Sequence, residues 1–205
     1  IFKFIMIIKY FELKKNLNGD TSFFLLYGLN IGLIEETINN VFKPFLSKNI
    51  FNYEENEILA NIDEFKENIF NKSFFENDKL IIINRVTDKI LAVIEDIIDK
   101  NFTETTIILK SSNLEKKSKL RNFFEKDKKA IITPFYEDTY QSLMIVAQNF
   151  FKEKKIKISP QNINLIIERS KGNRINLKNE LKKIENFSLK KLSIELSDIL
   201  KLTNL

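Results

Sequence analysis

Chemistry in this chain falls to carboxylates, lysines, tyrosines and the backbone, because its 205 residues include no His and no Cys. Without Cys there are no disulfides, thiolate nucleophiles or zinc–thiolate sites. Without His the commonest general base is missing, and with it the Ser-His triads and most zinc or iron sites. Two acidic clusters remain: Glu54, Glu55 and Glu57 beside one apolar segment, and Glu95, Asp96 and Asp99 along another. One or two carboxylates can hold magnesium, but these spacings specify no metal site and read as solvated faces. No catalytic residue, metal ligand or cofactor is assigned from them.

A phosphate cradle is the other chemistry to test. Nucleotide phosphates usually sit where a strand turns into a helix, and here that place reads FFLLYGLNIGLIEE. A P-loop needs Gly, four residues and then Gly-Lys-Ser/Thr, so that a cation and a hydroxyl meet phosphate and magnesium. Counted from Gly28, those three positions hold Leu33, Ile34 and Glu35. The cation and hydroxyl are absent, Glu35 and Glu36 would repel phosphate, and no GxGxxG is present. ATP hydrolysis is not expected.

Two segments suit binding better than catalysis. Between Lys110 and Lys129, eight basic residues face only Glu115, Glu125 and Asp127, while Leu120, Phe123 and Phe124 supply an apolar side. The spacing predicts a basic amphipathic helix over 115–125, with Lys116, Lys117, Lys119 and Arg121 as candidate DNA contacts. A plain solvated surface is the other reading. In SFFENDKLIIINRV, Ser73, Phe74 and Phe75 fall on a short turn or loop. Two adjacent large aromatics there are hard to bury together, and exposed apolar surface usually marks a partner site. Core packing of at least one ring is the alternative.

The elements that must position these residues follow from apolar patterning. Strands are predicted at Phe23–Tyr27, Ile50–Tyr53, Lys79–Arg85, Thr105–Leu109 and Ala130–Thr133. Helix-period segments lie between them at Leu33–Phe42, Ile62–Phe70, Thr87–Asp99 and Glu115–Glu125. Continuous apolar strands separated by helices predict an α/β domain with a doubly wound parallel sheet covered on both faces. After Pro134 every segment reads as helix: Thr139–Lys152, Pro160–Ser170, Arg174–Phe187 and Ile194–Leu200. Residues 1–136 are therefore read as an α/β domain and 137–205 as a small all-α domain.

Composition adds little beyond this. With 43% hydrophobic and 30% charged residues the chain is neither disordered nor membrane-spanning. Its net +5 divides into −5 over residues 1–109 and +10 over residues 110–205. A basic half facing a polyanion and two ordinary solvated domains both fit that split. Of 33 basic residues only Arg85, Arg121, Arg169 and Arg174 are arginine, a Lys bias that AT-rich coding also produces. The apolar run Ile1–Ile8 is shorter than the ~20 residues of a membrane span and lacks a signal cleavage site. A natural start at Met6 and a cytoplasmic location, without membrane contact, are expected.

The order of segments resembles the delta subunit of bacterial DNA polymerase III, the clamp-loader subunit. The residues that carry it are FLLYG followed by LIEETI, then SFFENDKLIIINRV, TTIILKSSNLEKKSKLRNFFEK and ERSKGNRINLKNELKKIENF, in order across about residues 7–201. The resemblance implies a degenerate AAA+ domain without a working P-loop, a helical lid and a further helical collar. The collar is absent from this chain, which reads as a two-domain fragment or a truncated gene product. The resemblance also implies a non-catalytic subunit that binds and opens the beta sliding clamp for loading onto primed DNA. Its partners would be the ATPase and delta prime subunits of the loader, with DNA contacted weakly or indirectly. The family's clamp-binding tip is Ser-Leu-Phe-like and matches Ser73-Phe74-Phe75, with Phe74 in the usual place of Leu. Arg174 has a shifted spacing relative to the lid arginine of active AAA+ proteins and receives no function. Alternatives are an ATP-binding AAA+ loader subunit and a stand-alone basic DNA-binding module.

Overall fold

Strands form where Phe, Ile and Leu run without interruption, because such segments are stable only when both faces are covered. The computed structural model describes residues 7–17, 22–46, 49–70, 79–100, 105–189 and 193–203. The strands are β1 (Phe23–Tyr27), β2 (Asn49–Glu54), β3 (Lys79–Asn84), β4 (Thr105–Ser111) and β5 (Ala130–Pro134). They make one sheet in the order β2-β3-β4-β1-β5, each neighbouring pair parallel. β1 lies inside, with Phe23 opposite Ile107 on one side and Ala130 on the other. Beyond β5, Ile7 bridges Ile132 and the Ile8 N–H donates to the Ile132 carbonyl at 3.1 Å.

Helices α1 (Ile31–Thr37), α2 (the single turn Lys43–Phe45), α3 (Glu55–Ala60), α4 (Ile62–Phe70), α5 (Leu91–Asp99) and α6 (Lys119–Phe124) connect the strands. Alternation along β1 assigns its two faces. Phe23, Leu25 and Tyr27 pack with Phe65, Ile69, Ile94, Ile97, Leu120 and Phe124. Phe24 and Leu26 pack with Ile34, Ile38 and Phe42. All five β1 residues are therefore buried.

Three expectations change. The helix expected over Leu33–Phe42 begins at Ile31, capped by Asn30, and loosens into a π turn over Ile38–Phe42. Pro44 follows one residue later and has no N–H to continue an α-helical ladder. The helix expected over 115–125 is only Lys119–Phe124, since Ser118 caps it and residues 115–118 form a turn. Glu55 is not solvated: it is buried, and its carboxylate accepts from the Thr87 N–H at 2.6 Å and from the Thr87 hydroxyl.

The chain divides into two units, Ile1–Tyr136 and Glu137–Leu205. The second contains α7 (Tyr140–Glu153), α8 (Pro160–Arg169), α9 (Arg174–Ser188) and α10 (Leu196–Leu202). Leu143, Ala147, Phe151, Ile163, Ile166, Leu177, Leu181 and Ile184 form its core. Pro160 opens α8 behind the N-cap Ser159, where a missing N–H costs nothing. Arg174, at the start of α9, is held inside this unit by Asp138. Its Nε and one terminal nitrogen each donate at 2.7 Å to the two carboxylate oxygens, and the Ser142 hydroxyl donates to the same group. Among the described residues, no helix is long and apolar enough to cross a membrane.

Candidate functional site

The place where a phosphate cradle would form is a three-residue turn, Gly28–Asn30, between β1 and α1. It is fastened to the chain leaving β5. The Asn30 N–H donates to the Phe135 carbonyl at 3.4 Å and its side-chain amide to the Tyr136 carbonyl at 3.0 Å. The Asn30 side-chain oxygen accepts the Leu33 N–H at 3.1 Å, so a donor that could face an anion is already used. Gly28 has φ +139°, and a Cβ there would lie 2.1 Å from the Phe135 carbonyl oxygen. The turn is too short and too closely tied to wrap a phosphate. Glu35 pairs with Lys110 of β4, whose ammonium also donates to Asn84 at 2.8 Å.

A cleft of about 860 Å³ lies at the carboxyl ends of β3 and β4, walled by Ile31 and Ile34 and by the loops that follow those strands. Parallel sheets bind ligands at this edge. Here the end of β4 is bonded to the loop after β3, the Ser111 hydroxyl donating to the Val86 carbonyl at 2.8 Å.

Next to it stands the basic turn that leads into α6. Lys116, Lys117 and Lys119 are exposed together, with Lys117 paired to Glu115 at 2.9 Å. Arg121 is turned the other way. Its side chain is 18% exposed, it donates to Glu125 at 2.8 Å and to the Leu114 carbonyl at 3.0 Å, and it lies 5.1 Å from the centre of the Tyr27 ring. The structure thus leaves three of the four basic candidates exposed and directs the fourth into the fold. Burial pushes the Tyr27 hydroxyl pKa up, against the lowering effect of Arg121.

Asp88, from the loop after β3, reaches the same turn. Its carboxylate accepts from the Ser118 hydroxyl at 2.5 Å and from the N–H groups of Lys119 and Leu120 at 3.0 Å. The Ser118 hydroxyl chiefly holds its pKa below the ordinary carboxylate value; burial opposes this, and the two backbone bonds and the Lys119 charge add to the lowering. Asp88 and Ser118 are 30 residues apart, so no local pattern announces the contact. Asn30 was accessible, since Asn three residues before an apolar helix position is a cap signal.

Ser73, Phe74 and Phe75 lie outside the described residues. Both flanks are fixed. Phe65 and Ile69 of α4 are buried, the Lys79 ammonium donates to the Asn68 carbonyl at 2.9 Å, and the Phe70 ring sits 4.7 Å from the Lys100 ammonium. These flanks meet the sheet at the amino end of β3, opposite the edge that carries the cleft and the basic turn.

Known proteins share this fold. The chain is similar in structure to the Bacillus subtilis DNA clamp loader delta protein, with a TM-score of 0.60 and 17% identity over 94% of this chain and 60% of that one. Domain III of the Thermotoga maritima replication initiation protein DnaA gives 0.54 and 14%, over 94% and 87% of the two chains. The Thermotoga maritima RuvB Holliday junction branch migration motor gives 0.58 and 18%, over 93% and 64%. At these identities the likeness establishes an AAA+-like fold, and the chain spans 60% of the length of the clamp loader protein. No curated protein matches the sequence. Residues 24–135, more than half of the chain, match the family model described as DNA polymerase III, delta subunit. The chain belongs to the DNA polymerase III delta subunit family.

Proposed function

We propose that this chain is the clamp-contacting part of a clamp loader and acts by binding, with no catalytic step of its own. The observation that carries the reading is an AAA+-like sheet from this family whose nucleotide turn is three residues long and bonded to the β5 exit. ATP-dependent timing then belongs to the ATPase subunits of the loader, with delta prime completing the assembly. The beta sliding clamp is the main partner, and primed DNA is contacted weakly through Lys116, Lys117 and Lys119.

The clamp-binding residues are Ser73, Phe74 and Phe75. Burying two phenylalanine side chains in an apolar pocket releases roughly 3–6 kcal/mol before association costs, enough for a small tip to dominate an otherwise polar interface. Such binding opens a closed ring only if the open ring is bound more tightly. Surface plasmon resonance of the chain against immobilised beta clamp tests the assignment. Phe74→Ala with Phe75→Ala should weaken binding by at least ~100-fold, the loss of about 3 kcal/mol. Undiminished binding by the double variant would falsify the tip.

A further inference from the structure

The turn between β4 and α6 is unusually well tied for a surface loop. Its backbone carbonyls are engaged one after another: Leu114 by Arg121, Glu115 by the Ser118 N–H at 2.9 Å, Lys116 by the Asn122 amide at 2.9 Å. The Ser118 carbonyl takes the same amide at 2.7 Å. The first N–H groups of α6 are used by Asp88 and Ser118, so the helix end has nothing to offer an anion. What remains exposed are Lys116, Lys119 and Lys117, the last in a solvent-exposed pair with Glu115 at 2.9 Å.

We propose that Glu115–Lys119 is a preorganised phosphate-contact turn, in which the three lysines touch nucleic-acid backbone and Arg121 and Asp88 are positioning residues. The proposal rests on the reading that this chain contacts primed DNA. Electrostatics alone argues against an acid at the base of a cationic turn, because it weakens attraction for a polyanion. Asp88 makes sense there as the group that fixes the loop by three hydrogen bonds. Arg121 would have to abandon Glu125, the Leu114 carbonyl and the Tyr27 ring to reach a phosphate. A turn already held in one shape loses little freedom on binding, so its charges are used efficiently.

Fluorescence anisotropy of the whole chain with a labelled primed duplex, across ~50–200 mM salt, separates these roles. Replacing Lys116, Lys117 and Lys119 together by Ala should flatten the log–log salt slope by ~2–3, about 0.9 per lost phosphate contact. Asp88→Ala makes the surface more positive by one charge and yet should bind about fivefold more weakly, the size of a lost cap, with the slope unchanged. Asp88→Asn keeps an acceptor and should restore wild-type affinity or better. Arg121→Gln should also weaken binding without changing the slope, while amide exchange over 114–120 accelerates several-fold. Tighter binding by Asp88→Ala overturns its positioning role, and so does a slope flattened by ~1 in Arg121→Gln with exchange unaltered. If the triple lysine variant binds with unchanged slope, DNA contact at this turn is refuted. Amide exchange in the Asp88 and Arg121 variants still decides whether those residues hold the loop.

Discussion

Gly28 and Gly172 look alike in sequence and differ in consequence. Both have positive φ, at 139° and 71°. At Gly172 a Cβ would meet nothing within 4 Å, so only backbone strain opposes a side chain. At Gly28 the same Cβ would collide with the Phe135 backbone. Gly172→Ala should therefore cost about 1 kcal/mol and Gly28→Ala about 3 kcal/mol or more, as measured by urea unfolding. Equal losses would mean that the β1 turn can move away from β5. Asp88 and Glu55 carry the same lesson for carboxylates. Glu55 reads as solvated in sequence and Asp88 stands out in no motif, yet each accepts a backbone N–H from a distant element. Contacts across about 30 residues leave no local trace, whereas the absence of a P-loop lysine is visible at once.

At the scale of elements, the strands were legible because an unbroken apolar run has few places to go but a sheet covered on both faces. Helix ends were less so. α6 is shorter than its apolar spacing implies, since Ser118 and Asp88 take the N–H groups where the pattern would have begun another turn. In the helical unit, α9 begins at Arg174, whose side chain is 6% exposed and faces an Asp138 that is 4% exposed. Removing one partner leaves a buried charge uncompensated. Arg174→Met should destabilise this unit by about 3–5 kcal/mol in thermal or urea unfolding. An unchanged unfolding midpoint would show that Asp138 finds another cation. Arg174 thus serves the packing of α7, α9 and the Asp138 segment.

Across the whole molecule, a sheet order that commonly serves nucleotide chemistry is kept while the turn that would hold phosphate is built as a brace. Isothermal titration with ATP and magnesium should give no saturable heat. Binding in the micromolar range would instead favour an ATP-binding loader subunit. The sequence by itself determined the parallel α/β architecture, the change to helices after Pro134 and the missing P-loop chemistry. These depend on apolar periodicity and residue type, which are local properties of the chain. It also marked Lys116, Lys117, Lys119 and Arg121 as one basic group. Only the tertiary structure divided that group, sending Arg121 inward to Glu125 and Tyr27 and leaving the lysines outside. The reason is physical: a side chain's role is set by the partners that folding brings within a few ångströms, and those partners come from other strands and loops.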